Sequence, residues 1–292
     1  MRLLFERLRR SAEFRYDRLT AAARNRRLDA IYRAEPMRHL DAIDEAVTRA
    51  CRWFDPQQDV SMSVLHCARQ TLLRTGDARL GFVQSQMEQY RATIRDPAFR
   101  VLDPHYRDDS PEILALPDVM EIRPYYPVEL MMIETAWADL RPRPGLLERL
   151  AGFSDEGGYG STHVIVGGLI LLENAGADRD AVTALMAGEI GPIARANDLT
   201  ARAEDLFAER CMVLQWLGRH DLVRPAWIMR LLARQRPDGG WTARNIPPLG
   251  QSNQHTSILA LASLAGFLAY ERRALSLGGN PAREAALQGF GQ

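Results

Sequence analysis

Two histidines and one pair of acidic residues are the side chains whose placement could support chemistry. His163, in Ser-Thr-His, and His255, in Gln-His-Thr, lie at matching points near the start of two apolar segments. An imidazole there could act as an acid–base group, because its ordinary pKa lies near neutral pH. Asp155 and Glu156 lie in the turn before His163, where carboxylates could act as general acid and base. We take His163, Asp155 and Glu156 as candidate catalytic residues; the competing interpretation is structural, with helix-start or core histidines and solvated turn carboxylates.

Composition excludes several other kinds of site. All 37 basic residues are arginine, so Schiff-base catalysis by lysine and a Walker-type phosphate loop are both excluded. Cys51, Cys67 and Cys211 form no Cys-x-x-Cys pair, which argues against a zinc ribbon or a redox dithiol. The formal net charge is zero, so no global field recruits nucleic acid. The cysteine usage and the absence of a signal-peptide pattern favour a cytoplasmic protein.

The elements that position these residues are predicted to be helices throughout. Apolar residues recur at helical spacing from residue 36 onward, and no stretch alternates with the period of two typical of strands. Segments that are apolar on nearly every side begin near residues 128, 163, 209 and 255, and amphipathic helices lie between them. Intervals of 35 to 46 residues between the apolar segments indicate helical-hairpin repeats. A proline-rich stretch at 97–126 is predicted to be a long irregular loop.

The sharpest local motif is PAWIMRLLARQRPDGGW at 225–241. Pro237 ends an amphipathic helix, the two glycines permit a tight turn, and Trp241 is placed to fill the gap between repeats. A second copy at 146–172 has Asp-Glu-Gly-Gly-Tyr in place of Pro-Asp-Gly-Gly-Trp. The motif resembles the Gln-Trp repeat of squalene-type terpenoid cyclases and the equivalent turns of protein prenyltransferase β-subunits. The resemblance covers roughly 126–275 and implies an all-α α/α toroid of about five to six hairpins, in which Gln235 and Trp241 are structural.

The same resemblance implies a metal site. In protein prenyltransferases a helix that opens in His-Thr supplies one zinc ligand, and an Asp-x-Cys pair on the preceding inner helix supplies the others. Glu209, Cys211 and His255 occur here in the same order, so zinc bound by these three residues is the expected cofactor if there is one. Neither the Asp-x-Asp-Asp acid of class II cyclases nor the Asp-Asp-x-x-Asp magnesium motif is present, which leaves carbocation initiation by either route unsupported.

The first 34 residues form a separate basic segment, with nine arginines up to Leu28. We expect an amphipathic helix at 1–34, followed by a toroid domain at 35–292. Such a helix can bind an anionic membrane surface or a protein partner, which would make the protein membrane-peripheral. The alternative is a helix that packs on the domain and exposes its arginines to solvent.

Three functions follow as hypotheses. The first is an enzyme, zinc-dependent in one version, acting on an apolar or isoprenoid-like substrate or peptide in a central cavity. The second is a non-catalytic toroid that binds a protein or lipid partner, and the third is an α/α-barrel glycan hydrolase or lyase. The residues expected to line the cavity are aromatic or sulfur-bearing: Met132, Tyr159, Trp216 and Trp241.

Overall fold

The protein is all-α, as predicted, throughout the residues that its structure describes. The structure is a computed structural model. It describes residues 20–57, 60–93, 97–107, 127–140, 142–155, 158–174, 178–200, 202–243 and 250–276. Helices and their connecting turns account for these ranges, within which no residue is in a strand.

Twelve helices are numbered here in chain order. α1 spans residues 20–34 within the described part of the chain. The bounds of the others are α2 Pro36–Phe54, α3 Met62–Thr75, α4 Phe82–Thr93, α5 Phe99–Leu102, α6 Pro127–Ala136, α7 Leu146–Asp155, α8 Tyr159–Glu173, α9 Arg179–Leu199, α10 Asp205–Trp216, α11 Pro225–Leu232 and α12 Gln254–Ser276.

The chain divides into two compact units. The first contains the described residues up to Pro56, Arg74–Asp77 and those from Ala194 onward; the second contains the described residues of Gln57–Leu73 and Ala78–Ile193.

The core of the first unit is built around α12, which packs against α2, α10 and α11. Every residue of α12 from Thr256 to Leu268 is buried. Small residues allow neighbouring backbones to approach closely: a Cβ added at Gly266 would lie 2.3 Å from Gln215 Oε1 on α10. Ser263 Oγ donates to the carbonyl of Ala208 at 2.8 Å, so it satisfies a polar group at the same interface.

The core of the second unit is built in a similar way around α8, which packs against α6 and α7. Gly167 and Gly168 lie on the buried side of α8. A Cβ at Gly167 would lie 2.7 Å from Leu150 on α7, and one at Gly168 would lie 2.6 Å from Met186 on α9. The apolar sequence of α8 is therefore explained by protein contacts on most of its sides.

A common order of helices occurs in each unit. In the second unit the apolar helices α6 and α8 contact each other, and the intervening α7 packs on α8. In the first unit α10 and α12 contact each other, and the intervening α11 packs on α12. In the sequence, the connection before the last helix of each trio contains the Gly-Gly pair.

The described part of the basic N-terminal segment, α1, belongs to the first unit and packs on its other helices. Within α1, Ala21, Asn25 and Tyr32 are buried. Asp29 accepts hydrogen bonds from the Arg224 side chain and from the Ala226 N–H at the start of α11. Residues 20–34 therefore contact the start of α11, residues 1–19 lie outside the described part, and binding of the helix to a membrane or a partner stays a prediction.

The predicted irregular loop is described from residue 97 to residue 107. It contains the short α5, in which the Arg100 side chain is fully buried. Arg100 donates to the carbonyls of Ala136 and Tyr106 and forms an ion pair with Asp139 at 2.6 Å, so this stretch is fixed to the end of α6. The rest of the predicted loop, 108–126, lies outside the described residues. No helix in the described ranges is long and apolar enough to cross a membrane.

Candidate functional site

A histidine and an aspartate meet where two apolar helices of the first unit begin. Asn253 precedes α12, and its side-chain oxygen accepts a hydrogen bond from the Thr256 N–H at 2.8 Å. This cap fixes the first turn of α12 and places His255 on it. Asp205 is the first residue of α10. The packing of α10 along α12 therefore brings these two helix starts together.

One carboxylate oxygen joins the two helix starts. Asp205 Oδ1 lies 3.0 Å from His255 Nδ1 and 2.7 Å from Thr256 Oγ1. The Asp205 side chain is buried, whereas 39% of the His255 side chain is exposed. Asp205 accepts the hydrogen on Nδ1, so the neutral imidazole carries its basic lone pair on Nε2. We call His255, Asp205 and Thr256 the His255 site.

The surroundings of His255 favour its protonated form. Burial lowers the pKa of His255, but the hydrogen bond that His255 donates to Asp205, together with the charges of Asp205 and Glu209, outweighs burial and raises the pKa above 6.5. Glu209 follows Asp205 by four residues, so the two acids share one side of α10. This makes the imidazole a stronger base than a solvent-exposed histidine and a correspondingly weaker acid.

The three predicted zinc ligands differ in burial and in the side of the helix on which they lie. Cys211 is fully buried and its sulfur accepts a hydrogen bond from Asn197 Nδ2 at 3.2 Å. Burial raises the pKa of the Cys211 thiol to about 12. Residues two positions apart on a helix lie about 200° apart around its axis, so Cys211 and Glu209 are on nearly opposite sides of α10.

The donor set therefore does not fit a zinc ion in this arrangement. Within the described ranges, no group of three His, Cys, Asp or Glu side chains is placed to hold a metal. Zinc bound by Glu209, Cys211 and His255 stays a prediction from the resemblance, without support from the geometry.

The candidate catalytic residues of the second unit are only partly described. His163 lies on α8, and its ring stacks on that of Tyr159 with centroids 6.0 Å apart. Asp155 is the last residue of α7, but its side chain lies outside the described part, as does the whole of Glu156. Their predicted catalytic roles stay predictions, as does the expectation that His163 and His255 face one interior.

The residues predicted to line a cavity differ in exposure. Tyr159 is 38% exposed, while Met132, Trp216 and Trp241 are buried. The Trp241 indole N–H donates to the carbonyl of Leu231 at 2.8 Å, which ties it to the end of α11.

The Gln-Trp turn is hydrogen-bonded within itself and to α2. Gln235 Nε2 donates to the carbonyl of Ala46 on α2 at 2.8 Å and to that of Gly239 at 2.9 Å. Gly239 has a φ of +98°, and a Cβ there would lie 2.6 Å from the carbonyl oxygen of Arg49. Only glycine satisfies both conditions, so this turn closes tightly against α2.

Sequence reasoning missed Asp205, the residue that orients His255. Two features of the sequence could have identified this pair. The capping pattern of Asn253 and Thr256 marks the start of α12, and an aspartate stands at the start of the preceding apolar helix. The resemblance points instead to Glu209, the acid two residues before Cys211.

Comparison with known proteins adds no relative: no family model, curated protein or solved structure matches this chain.

Proposed function

We propose that this chain is an α/α-toroid enzyme in which His255 acts as a general base toward an apolar, isoprenoid-like substrate. The observation that carries the proposal is the hydrogen bond from His255 Nδ1 to the buried carboxylate of Asp205, combined with an imidazole that remains 39% exposed. A buried carboxylate that orients a partly exposed imidazole is the arrangement used in general-base catalysis.

The toroid itself is supported by repetition within the chain. The order of apolar, amphipathic and apolar helix occurs once in each unit, and the sequence of the connection before the last helix contains a Gly-Gly pair each time. The resemblance implies a structural role for Gln235, and its hydrogen bonds to the carbonyls of Ala46 and Gly239 support such a role. We therefore place the chain with terpenoid cyclases and prenyltransferase β-subunits as a structural hypothesis.

The chemistry follows from the basicity of His255. A hydroxyl, thiol or water bound at Nε2 gives up its proton as it forms a bond to a carbon of the substrate and the leaving group departs with its electron pair. The imidazolium so formed is stabilised by Asp205, and it returns its proton to the leaving group or to water. Because the pKa of His255 is raised, its imidazolium form is a weak acid and is unsuited to protonating an alkene.

Activity assays on defined variants test this function. Wild-type protein is incubated with farnesyl and geranylgeranyl diphosphate, each with water, a thiol peptide or an alcohol as acceptor, and products are measured by mass spectrometry. His255→Gln is expected to lower the rate by about 100- to 10,000-fold, the usual contribution of a general base. His39→Gln, a histidine of α2 in the same unit, is the control and should retain the rate within twofold.

Absence of product from every member of the panel, or a His255→Gln rate equal to that of wild type, would contradict the proposal. Metal analysis separates the zinc version from the metal-free one. We expect far less than one zinc per chain in active protein, since Cys211 is buried in the core and lies about 200° around α10 from Glu209.

A second candidate function is peripheral attachment to an anionic membrane through α1. Asn25 and Asp29 contact other helices of the first unit, whereas Arg26, Arg27 and Arg33 are exposed. Replacing these three arginines by glutamine should reduce flotation with phosphatidylglycerol vesicles, and raised salt should have the same effect on wild type. Equal flotation of both proteins would refute this role for α1.

The glycan-hydrolase alternative depends on Asp155 and Glu156 and stays a prediction.

A further inference from the structure

A cleft of about 320 Å³ lies in the second unit, between α3 and α4, with α5 and Asp103 completing its wall. This volume is at the lower end of the range for small-molecule sites. The wall is mainly apolar, and Leu73 at its edge is 62% exposed.

A guanidinium group at the wall of this cleft has an unsatisfied donor. Arg69 Nη2 forms an ion pair with Glu173 Oε1 at 2.8 Å. The other oxygen of Glu173 accepts a hydrogen bond from Gln70 Nε2 at 2.8 Å. Arg69 Nη1 is buried and has no hydrogen-bond partner among the described residues. Because a buried charged donor is costly to leave without an acceptor, this atom favours an oxygen ligand.

A second guanidinium lines the same cleft. The Arg91 guanidinium lies over the ring of Phe99, 5.9 Å from its centroid, which holds it beside the apolar wall. Two acids, Glu88 and Asp103, also line the cleft. Their charges offset those of the two arginines, which disfavours a multiply charged head group such as a diphosphate.

We propose that this cleft binds a small amphiphilic monocarboxylic acid of the fatty-acid type. Its apolar chain lies against Leu72, Met87 and Phe99, and its carboxylate accepts hydrogen bonds from Arg69 Nη1 and the Arg91 guanidinium. Arginine suits this role because its planar group bonds carboxylates with two donors. The site lies within the second unit and does not depend on the function proposed for His255.

Binding of a dansyl-labelled undecanoic acid to the full-length chain tests this proposal. Decanoate should displace the probe at least tenfold more effectively than decanol, which has the same chain and no charge, and decyltrimethylammonium should not displace it. Met87→Trp, which fills the cleft, should weaken probe binding at least tenfold. Ser85→Trp introduces the same side chain at an exposed position of α4 outside the cleft wall, and should change binding by less than twofold.

The role of Arg69 is tested separately. Arg69→Gln should weaken decanoate binding at least tenfold and leave decanol binding within twofold, with circular dichroism confirming the fold. Absence of probe binding to wild type would overturn the proposal, as would equal displacement by decanoate and decanol, which would mean that water satisfies Arg69. Equal effects of Met87→Trp and Ser85→Trp would place the probe elsewhere and would also overturn it.

Discussion

Replacing Asp205 by asparagine should cost a measurable part of the stability of the first unit. The carboxylate accepts hydrogen bonds from Thr256 Oγ1 at 2.7 Å and from His255 Nδ1 at 3.0 Å. The buried bond to Thr256 contributes about 1.5–3 kcal/mol, and the bond to the partly exposed His255 about 1 kcal/mol. Asparagine preserves the shape but makes neutral bonds of roughly half the strength, so we expect a loss of about 1–2 kcal/mol.

The pH dependence of this loss has a definite sign. Because the pKa of His255 is raised in the folded protein, its stabilising contribution is complete below the unfolded value of 6.5. It is lost as the pH rises through the folded pKa. The difference in the free energy of unfolding between wild type and Asp205→Asn should therefore be larger at pH 6 than at pH 8.5.

Urea unfolding at both pH values measures this difference. Asp221→Asn is the matched control, because Asp221 also accepts two side-chain hydrogen bonds, both from Arg219, but its side chain is 43% exposed. That variant should lose less than about 1 kcal/mol. A loss below about 0.5 kcal/mol for Asp205→Asn, or a difference that grows with pH, would refute the reasoning.

Two further predictions concern packing and pH. Gly266→Ala should destabilise the protein by about 1–3 kcal/mol, because the new methyl group meets Gln215 at 2.3 Å. Gly188→Ala, a helical position with open space, should instead stabilise it by about 0.4–1 kcal/mol; urea unfolding of both variants gives the comparison, and equal effects would contradict it. Burial lowers the pKa of His220, whose ring stacks on Tyr270, to about 4, so wild-type stability should fall as the pH falls from 6.5 to 4. In His220→Gln that part of the stability–pH curve should be flatter, and an unchanged slope would count against this placement of His220.

The helical architecture was predictable because hydrophobic spacing reports directly on burial. α8 and α12 are apolar on most sides in the sequence, and the structure surrounds both with protein. The turn at 235–241 was equally readable, since helix termination by proline and tight turning by glycine are local effects. Local chemistry therefore fixed the elements and their turns.

The candidate site was only half predictable from the sequence. His255 was identified from its position at a helix start, but its partner lies 50 residues away and depends on how α10 aligns with α12. The spacing of Glu209 and Cys211 favoured zinc by resemblance alone. Whether a sulfur faces a ligand or the core depends on tertiary packing, and here Asn197 and the core enclose Cys211.

The pH dependence of turnover tests the role of His255 most directly. With whichever acceptor the wild-type protein uses, the rate should rise with pH through a midpoint above 6.5, as the imidazole loses its proton. In Asp205→Asn that midpoint should move toward lower pH and the maximal rate should fall. A profile whose midpoint is the same in both proteins, or full activity in His255→Gln, would contradict catalysis by this histidine.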